Sequence, residues 1–174
     1  LRVLEACTTW AGPMSTCLLA DLGADVIKVE LPEGEVIRRM PPYLPDSDPP
    51  LPIPHVTVNR NKRSLSLDLR TPEGRDVFLK VAAHVDVVVQ NFRPGTMDKW
   101  GVGYENVRKV KPDIVYVSIS GFGQFGPDHD RAGYDTLAQA LSGFIALNGE
   151  PKGNPVRAAT ALGDDLAGLH AALS

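Results

Sequence analysis

The sequence predicts an α/β fold with an open parallel sheet covered by helices on both faces, and two patterns carry that prediction. The run Val87-Val88-Val89 is continuously apolar, as expected of a parallel strand buried on both sides. Near the amino terminus, a strand (Arg2 to Ala6), a helix (Met14 to Leu22) and a second strand (Ala24 to Glu30) form one right-handed βαβ unit. Because ligands bind beyond the carboxyl ends of such strands, we expect the functional site at that edge.

The amino-acid composition is typical of a single globular domain and argues against several classes of binding protein. The chain has 174 residues, 43% of them hydrophobic and 22% charged, which is enough for one domain with a sizeable core. A net charge of −3 argues against nucleic-acid or membrane-surface binding, and no apolar run is long enough for a membrane span. Cys7 and Cys17 form neither a disulfide framework nor a metal motif, so we expect a cytoplasmic protein without a metal.

Both ends of the sequence are abrupt. Leu1 begins inside a strand pattern, and the helix pattern that runs to Ser174 has no C-cap glycine. We therefore expect the chain to be part of a longer protein.

The turn after the first strand contains Gly12-Pro13 but lacks the second and third glycines of the GxGxxG fingerprint. A nicotinamide cofactor is therefore not expected.

Two later segments have an unusual composition. Residues Leu31 to Pro54 include eight prolines, so we expect no regular structure there but a linker, a flap or a partner-wrapping segment. The run Asn59 to Ser64 carries Arg60, Lys62 and Arg63. It is either a solvated surface loop or a phosphate-binding pocket, since arginine and lysine both suit phosphate oxygens.

The remaining elements alternate between helix and strand. Thr71 and Pro72 are typical of a helix N-terminus, and that helix is expected to reach Ala83. The later predicted elements are a helix over Tyr104 to Lys111, a strand over Ile114 to Ser120, a glycine-rich loop over Gly121 to Pro127, a helix over Tyr134 to Ser142, and a last helix from Gly163.

The turn after the buried run is the first candidate site. Asn91, Phe92 and Arg93 stand where the strand ends, and Pro94-Gly95 then turns the chain. From these residues alone, the turn is either a ligand contact or an ordinary surface turn.

Five motifs in order closely resemble the class III CoA-transferases (CaiB/BaiF type), the family of formyl-CoA and carnitine CoA-transferases and α-methylacyl-CoA racemases. They are Ala11-Gly12-Pro13, the run from Leu19 to Glu30, the run from Asn59 to Ser64, Asn91-Phe92-Arg93-Pro94-Gly95, and the run from Ser118 to Gln124. The resemblance covers the whole chain. It implies that residues 1–174 are the amino-terminal part of a Rossmann-like, CoA-binding large domain, with the small domain and carboxyl-terminal segment absent.

The resemblance also implies a mechanism and an assembly. A Gly-Asp-x-x-x-Gly pattern places the catalytic aspartate at Asp164, four residues before Gly168, in an interlocked homodimer. Its carboxylate attacks an acyl-CoA thioester, and the acyl group of the resulting mixed anhydride is then exchanged for an acceptor acid. A helix N-terminus is expected to keep Asp164 ionised. From the residues alone, Asp164 is either this nucleophile or a helix cap, and Asp165 is available for the cap if Asp164 reacts.

The resemblance assigns contacts with CoA to Leu67, Arg70, Asn91, Phe92, Arg93 and Lys99. The resemblance also implies that Trp10 is near the substrate, at a position where the formyl-CoA enzyme has glutamine, and it aligns Leu31 with an arginine of that enzyme.

Tyr134 separates the alternatives within the family. Racemases carry a histidine there, whereas tyrosine, with an ordinary pKa near ~10, is a poor base. A CoA-transferase is therefore favoured over a racemase. A non-catalytic CoA-binding module or truncated subunit, acting with a complementing chain, remains the alternative from another class.

Overall fold

The computed structural model describes residues 1–174 and confirms the predicted α/β class. Its five strands form one parallel sheet in the order β3-β2-β1-β4-β5. The strands are β1 (Arg2–Ala6), β2 (Asp25–Glu30), β3 (Lys62–Ser66), β4 (Val87–Gln90) and β5 (Val115–Ser118).

Eight helices connect and cover the strands. They are α1 (Ala11–Asp21), α2 (Ile53–Asn59), α3 (Pro72–Ala82), α4 (Thr96–Lys99), α5 (Tyr104–Val110), α6 (Asp135–Leu141), α7 (Phe144–Leu147) and α8 (Leu162–Leu173). None of them combines the length and the apolar character that crossing a membrane requires.

The sheet has an apolar layer on each face, which explains the continuous apolar run in β4. Leu4 and Val88 face a cluster with Phe78 of α3 and Val107 of α5. Neighbouring strand residues point the other way and form a second cluster with the end of α1: Val3, Val26, Val87 and Val89, with Ala20. All four residues of β4 are buried, as predicted.

Local signals place α3 as expected. The Thr71 hydroxyl accepts a hydrogen bond from the Gly74 N–H at 3.0 Å, which confirms the predicted N-cap. In contrast, α1 begins at Ala11 and includes Gly12-Pro13, although the sequence pattern predicts these two residues in the preceding turn. Proline is tolerated there because the first turn of a helix has no intrahelical acceptor for its missing N–H.

The proline-rich segment is more ordered than predicted. It contains a 3-10 turn over Val36–Arg39, and its last residues enter α2. Arg38 forms a forked contact with Glu30 at the end of β2, with N–O distances of 2.6 and 2.5 Å. The prediction that no regular structure lies between Leu31 and Pro54 was therefore wrong, because tertiary contacts order the segment against the sheet.

Candidate functional site

The strand order reverses between β1 and β4, and the crevice at the carboxyl ends of these strands is where ligands bind in open parallel sheets. A cavity of about 620 Å³ opens at this point. Its walls come from the loops after β1, β4 and β5 and from α6 and α8, and they include Trp10, Asn91, Phe92, Arg93, Tyr134 and Asp164.

Asp164 lies in the first turn of α8 and lines this cavity. Burial, followed by the negative charges of Asp135 and Asp165, raises the pKa of Asp164 to about 6. A helix N-terminus is expected to lower this pKa, but desolvation and like charge outweigh that effect. With a pKa of about 6, the carboxyl is still mostly ionised at pH 7 and titrates in the mildly acidic range.

Asp165 was expected to cap α8 if Asp164 reacts, but its side chain bonds other groups. Its Oδ1 accepts a hydrogen bond from the Trp10 indole N–H at 2.7 Å, and its Oδ2 accepts one from the Thr160 hydroxyl at 2.8 Å. The cap comes instead from α6, where Asp135 Oδ1 accepts from the Gly163 N–H at 2.7 Å. Asp165 therefore ties the loop after β1 to the helix that carries Asp164.

Two glycines let the helices around Asp164 approach closely. A Cβ on Gly163 would lie 3.2 Å from both the Ala138 Cβ and an Asp135 oxygen. A Cβ on Gly168 would lie 2.8 Å from the Ala11 carbonyl oxygen, so this glycine sets the contact between α8 and α1. Gly163 also lines the cavity, where its lack of a side chain leaves room beside Asp164.

The turn after β4 is held to the loop after β1. The Asn91 side chain accepts a hydrogen bond from the Thr8 N–H and donates one to the Thr8 carbonyl, both at 2.8 Å. Phe92 packs edge-to-face against Trp100 at 5.0 Å, while Arg93 is exposed at the cavity wall. Asn91 therefore shapes the turn, and Phe92 and Arg93 present an apolar surface and a cation.

A second cavity, of about 480 Å³, adjoins the first on the side of β2 and β3. Leu67 and Arg70 line it, and Arg70 pairs with Asp68 at 2.7 Å. The two cavities share Thr8, Thr9, Phe92 and Tyr134, so they form a continuous groove along the carboxyl edge.

Of the other predicted site residues, Trp10 and Tyr134 line the cavities and Lys99 does not. Trp10 is half-buried beside Asp165, and Tyr134 is 76% exposed between the two cavities. Lys99 is exposed at the end of α4 and lines neither cavity.

The cations of the basic run divide into one buried side chain and two exposed ones, and none of the three lines either cavity. Lys62 is buried and lies 2.8 Å from Glu5 Oε2, while Arg60 pairs with Asp21 and Arg63 with Asp25. All three cations are engaged by carboxylates of β1, β2 and α1. Sequence reasoning placed the cations correctly but had no local signal for their tertiary partners.

Sequence reasoning missed two polar residues of the site. Asp135 bonds Gly163, and Arg131 lines the larger cavity with its guanidinium 4.9 Å from the Phe122 ring centroid. An acid in the first turn of a predicted helix was a detectable signal for Asp135. No group of three or more histidine, cysteine, aspartate or glutamate side chains is arranged to hold a metal ion.

Comparison with known proteins agrees with the geometry. The model of CoA-transferase family III matches residues 1–174, so the chain belongs to this family. A CaiB/BaiF family protein from Brucella suis has a similar structure, with a TM-score of 0.95 and 41% identity over 99% of this chain and 46% of the other.

Among curated relatives, the chain is 46% identical to the succinyl-CoA:mesaconate CoA-transferase of Haloarcula hispanica, over 94% of this chain and 43% of that protein. It is 43% identical to the succinate–glutarate CoA-transferase of Agrobacterium fabrum, over 98% of this chain and 44% of that protein. The chain therefore spans less than half the length of these relatives.

Proposed function

We propose that the chain forms the amino-terminal, CoA-binding part of a CoA-transferase that moves CoA between an acyl-CoA thioester and a carboxylic acid. The observation that carries this proposal is Asp164, a carboxylate with a pKa raised to about 6, on the wall of the cavity beside the Asn91-Phe92-Arg93 turn.

The proposed reaction has three balanced steps. Asp164 attacks the thioester carbonyl, the C–S bond breaks, and an aspartyl-acyl anhydride and CoA thiolate form. The acceptor carboxylate attacks the aspartyl carbonyl, so the donor acid leaves and a new anhydride remains. The thiolate then attacks the acceptor acyl carbonyl, which gives the new thioester and restores the aspartate.

The raised pKa suits this role. A carboxyl group with a pKa of about 6 is mostly ionised at pH 7, and a more basic carboxylate is a better nucleophile. Because the cavity partly desolvates the carboxylate, its attack needs less rearrangement of water.

CoA is proposed to lie along the groove formed by the two cavities. Leu67 and Arg70 would contact the nucleotide end in the smaller cavity, and Phe92 and Arg93 would contact the middle of the molecule. Asn91 would support the turn from below, while Lys99 would reach CoA phosphates only from outside the groove.

The substrates are proposed to be dicarboxylic acids and their CoA esters. The two relatives named above are a succinyl-CoA:mesaconate and a succinate–glutarate CoA-transferase. The larger cavity supports this assignment because two cations, Arg93 and Arg131, line it together with Asp164. Tyr134 in place of a histidine base favours transfer over racemisation.

The proposed assembly is an interlocked homodimer in the cytoplasm. Large apolar side chains on α7 and α8 support a covering chain, since Leu147 is 89% and Leu173 is 77% exposed.

The decisive experiment replaces Asp164 in the purified transferase. Asp164→Asn keeps the shape but removes the nucleophile, so turnover from succinyl-CoA should fall by several orders of magnitude while CoA affinity in calorimetry stays nearly unchanged. Hydroxylamine trapping followed by mass spectrometry should place the hydroxamate on Asp164.

Asp165→Asn is the matched control, because it changes the adjacent carboxylate that bonds Trp10 and Thr160. It should retain most turnover, because the amide oxygen can still accept from the Trp10 indole while the NH₂ group donates to the Thr160 hydroxyl oxygen. A hydroxamate on Asp165, or full activity of Asp164→Asn, would refute the assignment.

A further inference from the structure

Thr9 has an unusual backbone conformation beside the proposed nucleophile. Its φ is +67°, in the left-handed region that β-branched residues strongly disfavour. Thr9 lines both cavities and directly precedes Trp10. A contact from outside the loop is therefore needed to hold the left-handed conformation of Thr9.

Glu35 is the side chain that holds it. The Thr9 N–H donates a hydrogen bond of 2.6 Å to Glu35 Oε2. The Glu35 side chain is only 3% exposed, and its Oε1 forms an ion pair with Lys28 Nζ at 2.7 Å but accepts no hydrogen bond. Both carboxylate oxygens are thus engaged, one by the loop and one by a buried cation.

Lys28 fixes Glu35 through a buried charge network. Lys28 Nζ also lies 2.7 Å from Glu5 Oε1 and donates to the Cys7 carbonyl at 3.0 Å. Glu5 Oε2 in turn lies 2.8 Å from Lys62 Nζ. Two carboxylates and two ammonium groups balance, and the network joins side chains of β1, β2 and β3 to Glu35 in the segment that follows β2.

Hydrogen bonds from three other segments therefore hold the loop after β1 at three successive residues. Asn91 bonds the backbone of Thr8, Glu35 bonds the backbone of Thr9, and Asp165 bonds the indole of Trp10. The last contact reaches the residue next to Asp164. A shift of Thr9 would consequently change the position of Trp10 and the surroundings of the nucleophile.

We propose that Glu35 is a positioning residue of the transfer reaction, which holds Thr9 in its left-handed conformation and thereby sets Trp10 against the helix that carries Asp164. This inference rests on the proposed function. Glu35 contacts no reacting atom and acts through the loop. The competing explanation is that Glu35 merely anchors the proline-rich segment to the sheet.

Glu35→Gln tests the proposal because an amide has only one acceptor oxygen. If the amide oxygen accepts from the Thr9 N–H, the NH₂ group faces the Lys28 ammonium. If the oxygen faces Lys28 instead, the NH₂ group faces the Thr9 N–H and the hydrogen bond to the loop is lost. Turnover should fall at least tenfold, with the KM for acyl-CoA changing less than threefold. Glu33→Gln, at an exposed acid of the same segment, is the matched control and should leave both constants unchanged.

Rescue separates positioning from anchoring. Glycine adopts positive φ without the steric cost of threonine, so adding Thr9→Gly to Glu35→Gln should recover most of the lost turnover. Anchoring by Glu35 would not be repaired at Thr9, so failure of this rescue would overturn the proposal.

A spectroscopic arm is independent of activity. With 5-fluorotryptophan incorporated into the purified transferase, the ¹⁹F resonance that disappears in Trp10→Phe belongs to Trp10, and its chemical shift should change when Glu35 is replaced. An unchanged shift would contradict the proposal even if no CoA-transferase activity were found in the wild type.

If Glu35→Gln does not fold, Thr9→Pro replaces it. Proline fixes φ near −65° and removes the N–H, so it should abolish turnover where Thr9→Gly does not. Equal turnover in these two variants would overturn the proposal.

Discussion

At the scale of single residues, the proposed nucleophile predicts a pH dependence. Only the ionised form of Asp164 can attack a thioester, and the pKa of this group is raised to about 6. The value of kcat/KM should therefore rise with pH through about 6 and level off above it. A stopped-flow or steady-state pH series in a constant-ionic-strength buffer measures this.

Asp165→Asn provides the control for that profile. Burial is the main cause of the raised pKa, and the charge of Asp165 adds to it after that of Asp135. Removing the charge of Asp165 should shift the midpoint of the profile to lower pH. A rate that stays flat from about pH 5 to 8 would exclude Asp164 as the titrating nucleophile.

Two arginines give a prediction for CoA affinity. Arg93 is exposed at the larger cavity, and Arg70 lines the smaller one beside Asp68. Replacing either by alanine should weaken CoA by about 1–3 kcal/mol if a charged phosphate contact is lost, with Arg70 at the lower end because Asp68 competes for it. Isothermal calorimetry measures the loss.

Arg63→Ala is the matched control for these variants. Arg63 is exposed, pairs with Asp25, and lines neither cavity. Unchanged CoA affinity in both the Arg70 and Arg93 variants would rule out their phosphate role.

At the scale of elements, the contact between α1 and α8 predicts the effect of one methyl group. Gly168→Ala would bring a Cβ within 2.8 Å of the Ala11 carbonyl and 3.0 Å of the Met14 Cβ. Pushing the helices apart should cost about 1–3 kcal/mol of stability and lower turnover, because α8 carries Asp164. Chemical denaturation and initial rates measure the two effects.

His170→Ala changes an exposed side chain of the same helix and should stay within about 0.5 kcal/mol of the wild type. Wild-type stability and turnover in Gly168→Ala would show that the interface between α1 and α8 tolerates expansion.

The elements with strong local signals could be predicted from sequence. The apolar run of β4 and the Thr71-Pro72 start of α3 needed no tertiary information. The short helices α4 and α7 could not be predicted, because four residues are too few for a periodic pattern. The helix α2 was also missed, because it follows directly on a proline-rich stretch.

The candidate site was less accessible from sequence because its polar groups are defined by distant partners. Asp165 looks like a helix cap, yet its partner Trp10 is 155 residues away. Lys62 looks like part of a surface charge cluster until its partner Glu5, which lies two strands away on β1, is known. Resemblance to a family supplied Asp164, whereas Glu35 was hidden in a segment interpreted as linker.

At the scale of the whole molecule, the uncovered apolar surface predicts association. Exposed leucines of the last three helices include Leu141, Leu147, Leu166 and Leu173. We expect residues 1–174, when expressed alone, not to form a stable monomer, because such a surface is normally covered by protein. Sedimentation velocity at micromolar concentration tests this. A monodisperse monomer with a sharp unfolding transition would contradict it.

The buried ion pair between Lys28 and Glu5 titrates outside the pH range in which Asp164 titrates. Burial opposes the charge on both Lys28 and Glu5, but their mutual attraction and the neighbouring charges outweigh it, so the pKa of Lys28 is raised and that of Glu5 is lowered. This pair therefore keeps its charges across the range in which Asp164 gains and loses its proton. The molecule can change the reactivity of its edge with pH while the attraction between Lys28 and Glu5 stays in place.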